Sequence, residues 1–325
     1  MTDSRAVADP AGTPAPDALL GPPAHPAPPV LAPPVAGSPP PAVFFAFLMM
    51  ALGMFMAILD IQIVAASLGQ IQAGLSASAD EIAWVQTSYL VAEVIMIPLS
   101  GFLARALSIR WLFVFSCAGF TLASILCALV TSIEGMIAAR ALQGFVGGAM
   151  IPTVYAASFM LFGRARQTAV TAAVSFIVTL APTVGPVLGG WLTDVASWHW
   201  LFLVNVVPGL FITAAVALLV KVDRPNLALL RKIDFPGLIA LSLLCGGLVY
   251  VLEEGTRHQW FEDFWIRTMS AVVVASALLL FWRVRVAPEP IVRLDAFRNL
   301  NFTAGALMGA VFGMGLYGLV YLYPL

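Results

Sequence analysis

Nine stretches of the chain are almost wholly apolar: roughly 43–68, 82–103, 111–131, 135–160, 169–192, 199–220, 235–252, 265–284 and 302–325. Each approaches the ~20 residues a helix needs to cross the hydrocarbon of a bilayer. Hydrocarbon offers backbone amides no partner, so a spanning segment must satisfy them internally. The expected fold is an all-α, multi-pass membrane protein, with the lipid bilayer as its first partner. Composition agrees: 61% of residues are apolar and 10% charged, whereas a soluble domain carries about a quarter charged. A net charge of −1 gives nucleic acid nothing to hold.

Residues 1–42 hold 13 of the 23 prolines. Such a segment cannot build a packed core and is expected to be a disordered tail. It lacks a basic stretch followed directly by a cleavable apolar core, so the first helix itself is expected to direct insertion. Of the 16 Lys and Arg residues, 12 fall in the loops after spans two, four, six and eight. That bias places the N-terminus and the even loops in the cytoplasm of a cell whose plasma (inner) membrane holds the protein. All eight tryptophans fall at or near span ends, where an indole can bury its ring and keep its N–H wet. Cys117, Cys127 and Cys245 lie in apolar runs and read as small core residues, not as a metal site or a disulfide framework. No cofactor is implied.

Ionisable side chains inside spans are costly and are functional candidates by default. Asp60, Glu93 and Arg140 are the three. At ~1.5 Å per residue, Arg140 lies ~8 Å from its outer span end, Asp60 ~12 Å and Glu93 ~17 Å. Asp60 and Arg140 are therefore placed to pair across spans one and four, with Glu93 near the midplane. Gln86, Tyr89, Glu93 and Ser100 share one face of span two, and Asp60 and Ser67 share a face of span one. Polar stripes of this kind are expected to line a cavity. A structural salt bridge that fixes helix register is the competing reading of the pair. An acid that alternately meets water and a cation or substrate gains and loses a proton per cycle, because burial disfavours its charge and a nearby cation favours it.

Span five contains two prolines and three glycines within Thr179–Asp194. Ala181, Gly185 and Gly189 recur every fourth residue, a bare ridge on which another helix can ride. The ridge is either a tight packing seam or a seam along which two parts rock. Gly144 and Gly148 make a second such ridge on span four. His258 and Asp263 form an H-x4-D pair, a short and common pattern in a loop rich in Glu and Asp.

The order of these motifs resembles the major facilitator superfamily. Ala181-Pro182-x-x-Gly185-Pro186-x-x-Gly189-Gly190 is similar to the fifth-helix antiporter motif. Trp198-His-Trp-Leu-Phe-Leu-Val-Asn205-Val-Val-Pro208-Gly209 resembles the start of the sixth helix in EmrB/QacA-type drug:proton antiporters, a branch with about fourteen helices. Leu59-Asp60-x-Gln62-Ile63-Val64 resembles the first-helix motif of that branch, with Ala65 and Gly69 in place of asparagine and proline. Arg140-Ala-Leu-Gln143-Gly144 matches the fourth-helix motif, whose arginine the resemblance implicates in proton transfer. Gly101-x-Leu103-Ala104-Arg105, with Arg110 beyond it, falls where the cytoplasmic loop motif lies; Arg105 stands where most members have aspartate and Ser108 where they have glycine.

The resemblance implies a six-helix N-terminal bundle over 43–220. A cytoplasmic loop and two extra helices would follow over 221–300, and the first helix of a second half over 301–325. The superfamily is built from two six-helix halves, so the chain reads as the N-terminal part of a longer transporter. The implied activity is proton-coupled efflux of amphipathic organic compounds. Asp60, Glu93 and Arg140 would carry the coupling. Gln86, Tyr89, Gln143 and Ser67 would line the cavity, and Ala181–Gly190 would form the conformational seam. A relative in a double-membraned bacterium is expected to dock a periplasmic adaptor. Export of one specific metabolite, a non-transporting scaffold, and an enzyme resting on His258 are the alternatives. No Gly-x4-Gly-Lys loop is present to cradle a nucleotide.

Overall fold

The computed structural model describes residues 41–322, apart from 221, 222, 258, 288, 289 and 293. The Pro-rich tail up to residue 40, together with Lys221, His258 and Arg293, lies outside the described residues. Among the described residues the regular structure is helical. The first six spans are α1 (Pro41–Ala66), α3 (Ala79–Leu107), α4 (Ile109–Leu129), the broken pair α5 (Ile133–Gly147) and α6 (Met150–Leu161), α7 (Arg164–Val195), and a second broken pair, α8 (Trp200–Leu203) and α9 (Val206–Leu219). Then come α10 (Phe235–Glu254), α11 (Phe264–Val286) and α12 (Leu300–Leu322). Among the described residues, eight helices are long and apolar enough to cross a membrane. α12 occupies the ninth apolar run. One helix is additional to the expected set: α2 (Leu68–Leu75), in what reads as a loop.

The helix ends are written locally. Ser78 starts α3 with a capping box: its Oγ accepts from Glu81 N at 3.3 Å, and Glu81 Oε2 accepts from Ser78 N at 2.9 Å. Ser132 caps α5 through Gly135 N at 3.2 Å. Asp263 caps α11, accepting from Trp265 N at 2.7 Å and Ile266 N at 3.0 Å. Pro98, Pro182 and Pro186 lie inside continuous helices. Neighbouring segments make this tolerable in a membrane, where the same residues would end a helix in water.

Glycine ridges set two of the closest helix pairs. A Cβ at Gly144 would run into the Tyr89 carbonyl, and one at Gly148 would lie 3.0 Å from the Glu93 carbonyl oxygen. Arg140 donates to the Val85 carbonyl. The contacts 140–85, 144–89 and 148–93 advance by four on both sides, so α3 and α5 run parallel, backbone against backbone. The second ridge does the same for α7 on α1. Gly185 rests on Gln62, and a Cβ at Gly189 would lie 2.9 Å from Ile63 O and 3.0 Å from Ser67 Oγ. Ala181 is fully buried in the same seam. The ridge therefore packs α7 onto α1 within one bundle. Pro186 on the other side of the helix is exposed, and a Cβ at Gly190 would meet open space.

α10 and α11 form a hairpin. Asp234 caps α10 through Gly237 N at 3.0 Å and takes Arg283 from the far end of α11, Nη2 at 2.6 Å and Nε at 3.0 Å. The hairpin leans on α3, where the Trp84 and Tyr250 rings meet at 5.8 Å with a 32° tilt and Gly246 makes room for Val91. Exposed Leu278, Phe281 and Trp282 on α11 are apolar, as the lipid-facing side of such a helix must be. Within the six-span bundle, one apolar cluster gathers Met50, Met54, Phe113, Phe120 and Met150, and another gathers Ile63, Ile71, Val85, Met136 and Phe202. A polar cluster is held by side chains from α1, α4, α5 and the α8–α9 break.

Candidate functional site: a buried carboxylate–guanidinium cluster

Asp60 projects from α1 and Arg140 from α5. Both are fully buried, and Arg140 Nη1 donates to Asp60 Oδ2 at 2.6 Å. The expected pairing across spans one and four is present. The register of α5 on α3 produces it: Gly144 lets the two backbones touch one turn away, which brings the guanidinium over the Tyr89 ring at 4.3 Å and within reach of Val85 O at 3.3 Å. Phe202 closes another side at 5.9 Å. Arg140 Nη1 also donates to Gln143 Oε1 at 2.7 Å, one turn along the same helix.

The second carboxylate oxygen has its own donors. Asp60 Oδ1 accepts from Asn205 Nδ2 at 2.7 Å and from Gln143 Nε2 at 3.3 Å. Ser124 Oγ on α4 accepts from Gln143 Nε2 at 2.8 Å and from Asn205 Nδ2 at 3.4 Å. Cys127 Sγ lies 3.6 Å from Gln143 Oε1. One acid, one guanidinium, two amides and a hydroxyl thus form a buried network in which most polar atoms replace their lost water, while Arg140 Nη2 makes no hydrogen bond among the described residues.

Ser124 and Asn205 are the members that sequence reasoning does not single out as site residues. Ser124 shows no signal, being one of several serines in apolar helices. Asn205 has one: an uncharged polar residue in an apolar span, three residues before Pro208. Of the four side chains read as cavity lining, Tyr89, Gln143 and Ser67 are fully closed off and Gln86 is half-exposed. Gln143 is turned inward because Asp60, Arg140 and Ser124 offer it partners. Ser67 sits at the α1–α2 junction against Gly189. Glu93 is 7% exposed on α3, one turn beyond Tyr89, with its backbone against Gly148. It is a second buried acid, outside the bonded network.

At the end of the bundle that carries the loop motif, Gly101 is exposed and Arg105 lies over the Phe102 ring at 5.6 Å. Ser108 takes a positive φ of 78° where glycine is usual, and caps α4 through Trp111 N at 3.3 Å. The segment after span six closes beneath this tip. Asp223 Oδ2 accepts from Ile109 N at 2.8 Å, and Asn226 N donates to Ala106 O at 2.8 Å. Arg110 stacks on Trp111 at 4.9 Å and donates to the Ala217 carbonyl.

The family model described as Major Facilitator Superfamily matches residues 43–325. The chain is 44% identical over 278 residues to the colistin resistance protein EmrB of Acinetobacter baumannii, an alignment covering 86% of this chain and 54% of that protein. It is 33% identical to the multidrug export protein EmrB of Escherichia coli K12, over 85% of this chain and 54% of the relative. It is 31% identical to the fatty acid resistance protein FarB of Neisseria gonorrhoeae, over 86% and 55%. The chain spans about half the length of the curated relatives it matches. Transport and resistance proteins of this kind are not enzymes, which sets aside the reading built on His258 and Asp263. The chain belongs to the Major Facilitator Superfamily.

Proposed function

We propose that the protein takes part in proton-coupled efflux of amphipathic organic compounds across the plasma (inner) membrane. The observation that carries this reading is the Asp60–Arg140 pair, fully buried and bonded at 2.6 Å. Taking two ions out of water costs several kcal/mol each, and packed apolar side chains of similar volume often serve stability as well or better. A pair retained at that cost, with a second buried acid at Glu93 one turn past Tyr89, fits a site that changes charge during a cycle. Arg140 donates to Asp60 across the two spans at 2.6 Å. A proton or a cationic substrate arriving at Asp60 competes with Arg140 for the carboxylate and is released when the balance reverses, while Glu93 offers a second proton site outside that pair. Colistin and fatty acids, named in two relatives, are both amphipathic, which favours that substrate class.

The remaining parts of the reading rest on sequence. The Lys and Arg bias supports a cytoplasmic N-terminus. The family resemblance supports a transporter bundle over 43–220, a loop and two extra helices over 221–300, the first helix of a second bundle from 301, and a periplasmic adaptor as partner. The α1–α7 ridge, with Ala181, Gly185 and Gly189 seated on α1 and Pro182, Pro186 and Gly190 turned away from the tightest contact, is the proposed hinge line.

The test uses the complete gene product in proteoliposomes loaded with a pH-sensitive dye. A panel of amphipathic drugs is expected to evoke proton movement that Asp60→Asn removes. A response to one metabolite alone would identify a dedicated exporter. No response to any compound would point to a scaffold and overturn the proposal.

A further inference from the structure

Span six is interrupted at the level of the buried acid. Pro208 has no N–H to offer the Val204 carbonyl, so the helix loses a bond there. The chain tightens instead: Asn205 N donates three residues back to Phe202 O at 3.2 Å, and α9 resumes with Gly209 N on Asn205 O at 2.9 Å. Asn205 is 2% exposed. Its Nδ2 donates to Asp60 Oδ1 at 2.7 Å, the shortest contact that carboxylate makes with an uncharged group.

We propose that Asn205 is a positioning residue of the Asp60 site: it aims the carboxylate and passes its gain or loss of charge to the bend in span six. The inference rests on the proton-exchange reading of Asp60. Arg140 Nη1, Asn205 Nδ2 and Gln143 Nε2, the groups bonded to Asp60, all donate. Asp60 Oδ1 already accepts from both Asn205 and Gln143, so a proton placed on that oxygen displaces one of them. The bond to a charged oxygen is also about twice as strong as to a neutral one, so protonation weakens the hold even where geometry persists. Arg140 is fixed by Gln143, Val85 and the Tyr89 ring. Asn205 sits at the break in span six, where Pro208 cannot bond the Val204 carbonyl, with Ser124 at 3.4 Å as its second partner. It is the donor that yields, and span six moves with it.

The other ionisable groups around the site are few. α3 brings Glu93 and Tyr89, α4 brings Cys127 against Gln143, and α5 brings Arg140. α7 carries charge only towards its ends, and α8 and α9 carry none.

The test compares Asn205→Leu, Asp60→Asn and the exchange variant Asp60→Asn/Asn205→Asp in the complete gene product. Two readouts are used. Substrate-evoked proton flux in proteoliposomes is expected to fall about tenfold in Asn205→Leu, with half-saturating substrate unchanged within about twofold. The infrared carboxylate band of the purified protein, assigned by its loss in Asp60→Asn, is expected to shift in Asn205→Leu. The exchange variant is expected to regain a band and part of the flux. An unshifted band in folded Asn205→Leu overturns the proposal whatever the flux shows. Absence of flux in the wild type fails the antiport reading instead, and the band still decides the positioning role. Should Asn205→Leu not fold, Asn205→Ser keeps a small donor and supplies the same band comparison.

Discussion

Removing both members of the Asp60–Arg140 pair should cost less than the two single removals added together. Arg140→Met deletes the 2.6 Å bond to Asp60, the 2.7 Å bond to Gln143 and the 3.3 Å bond to Val85 O, and leaves a carboxylate with no cation at 0% exposure. Breaking a buried pair from one side costs ~3–5 kcal/mol. Asp60→Asn strands the guanidinium, which keeps Gln143, Val85 O and the Tyr89 ring, and its cost lies at the lower end of the same ~3–5 kcal/mol. In the double variant no ion is buried alone, and the amide at position 60 can still accept from Asn205 and Gln143. The double should therefore fall short of the sum by ~2–3 kcal/mol, within the usual range for contacting residues. Equilibrium unfolding of the four proteins in bicelles by steric trapping gives the cycle. Single costs that add to within ~0.5 kcal/mol would mean the two charges do not interact, and the reading of the site would fail.

Asp60→Asn and Glu93→Gln should each abolish coupled export while membrane insertion, read by surface labelling, stays intact; equal loss of insertion would assign the acids to folding. Gly144→Leu should be far worse than Gly190→Leu in yield of folded protein, because the first side chain meets the Tyr89 backbone and the second meets open space. Gly185→Leu should wedge α7 from α1 and stop transport, and wild-type transport would remove the proposed hinge line. Asp234→Ala should release both the α10 cap and Arg283, a loss of ~2–4 kcal/mol from one cap and one charge-assisted contact, seen as a lower melting temperature; Asp263→Ala, which loses a cap alone, should cost ~1 kcal/mol.

The spans were legible because lipid imposes length. Each of the nine apolar runs is helical, as a broken pair at spans four and six, with ends within a few residues of those read from hydropathy. The Asp60–Arg140 pair was legible for a related reason: charges in oil are few, and helical rise converts position into depth. The partners of the pair were not legible. Ser124 and Asn205 join it from α4 and the α8–α9 break, and which face of each helix turns inward depends on packing that no single span encodes. α2 was missed because Leu68–Leu75 is short and mixed, with Ser76 in a left-handed conformation as its stop. The glycine ridges showed where backbones would touch but left open which helix would do the touching. That the Ala181–Gly189 ridge meets α1 follows only from the assembled bundle.

The tip of α4 receives an acid from far along the chain: Asp223 reaches the Ile109 amide from a segment more than a hundred positions away. The tip of α4 and the segment after span six therefore hold together as one unit, which the Asn226 N bond to Ala106 O reinforces. A chimera that imports residues 220–232 without an acid at position 223 would strand that amide, whereas the same graft with aspartate kept at 223 should be tolerated.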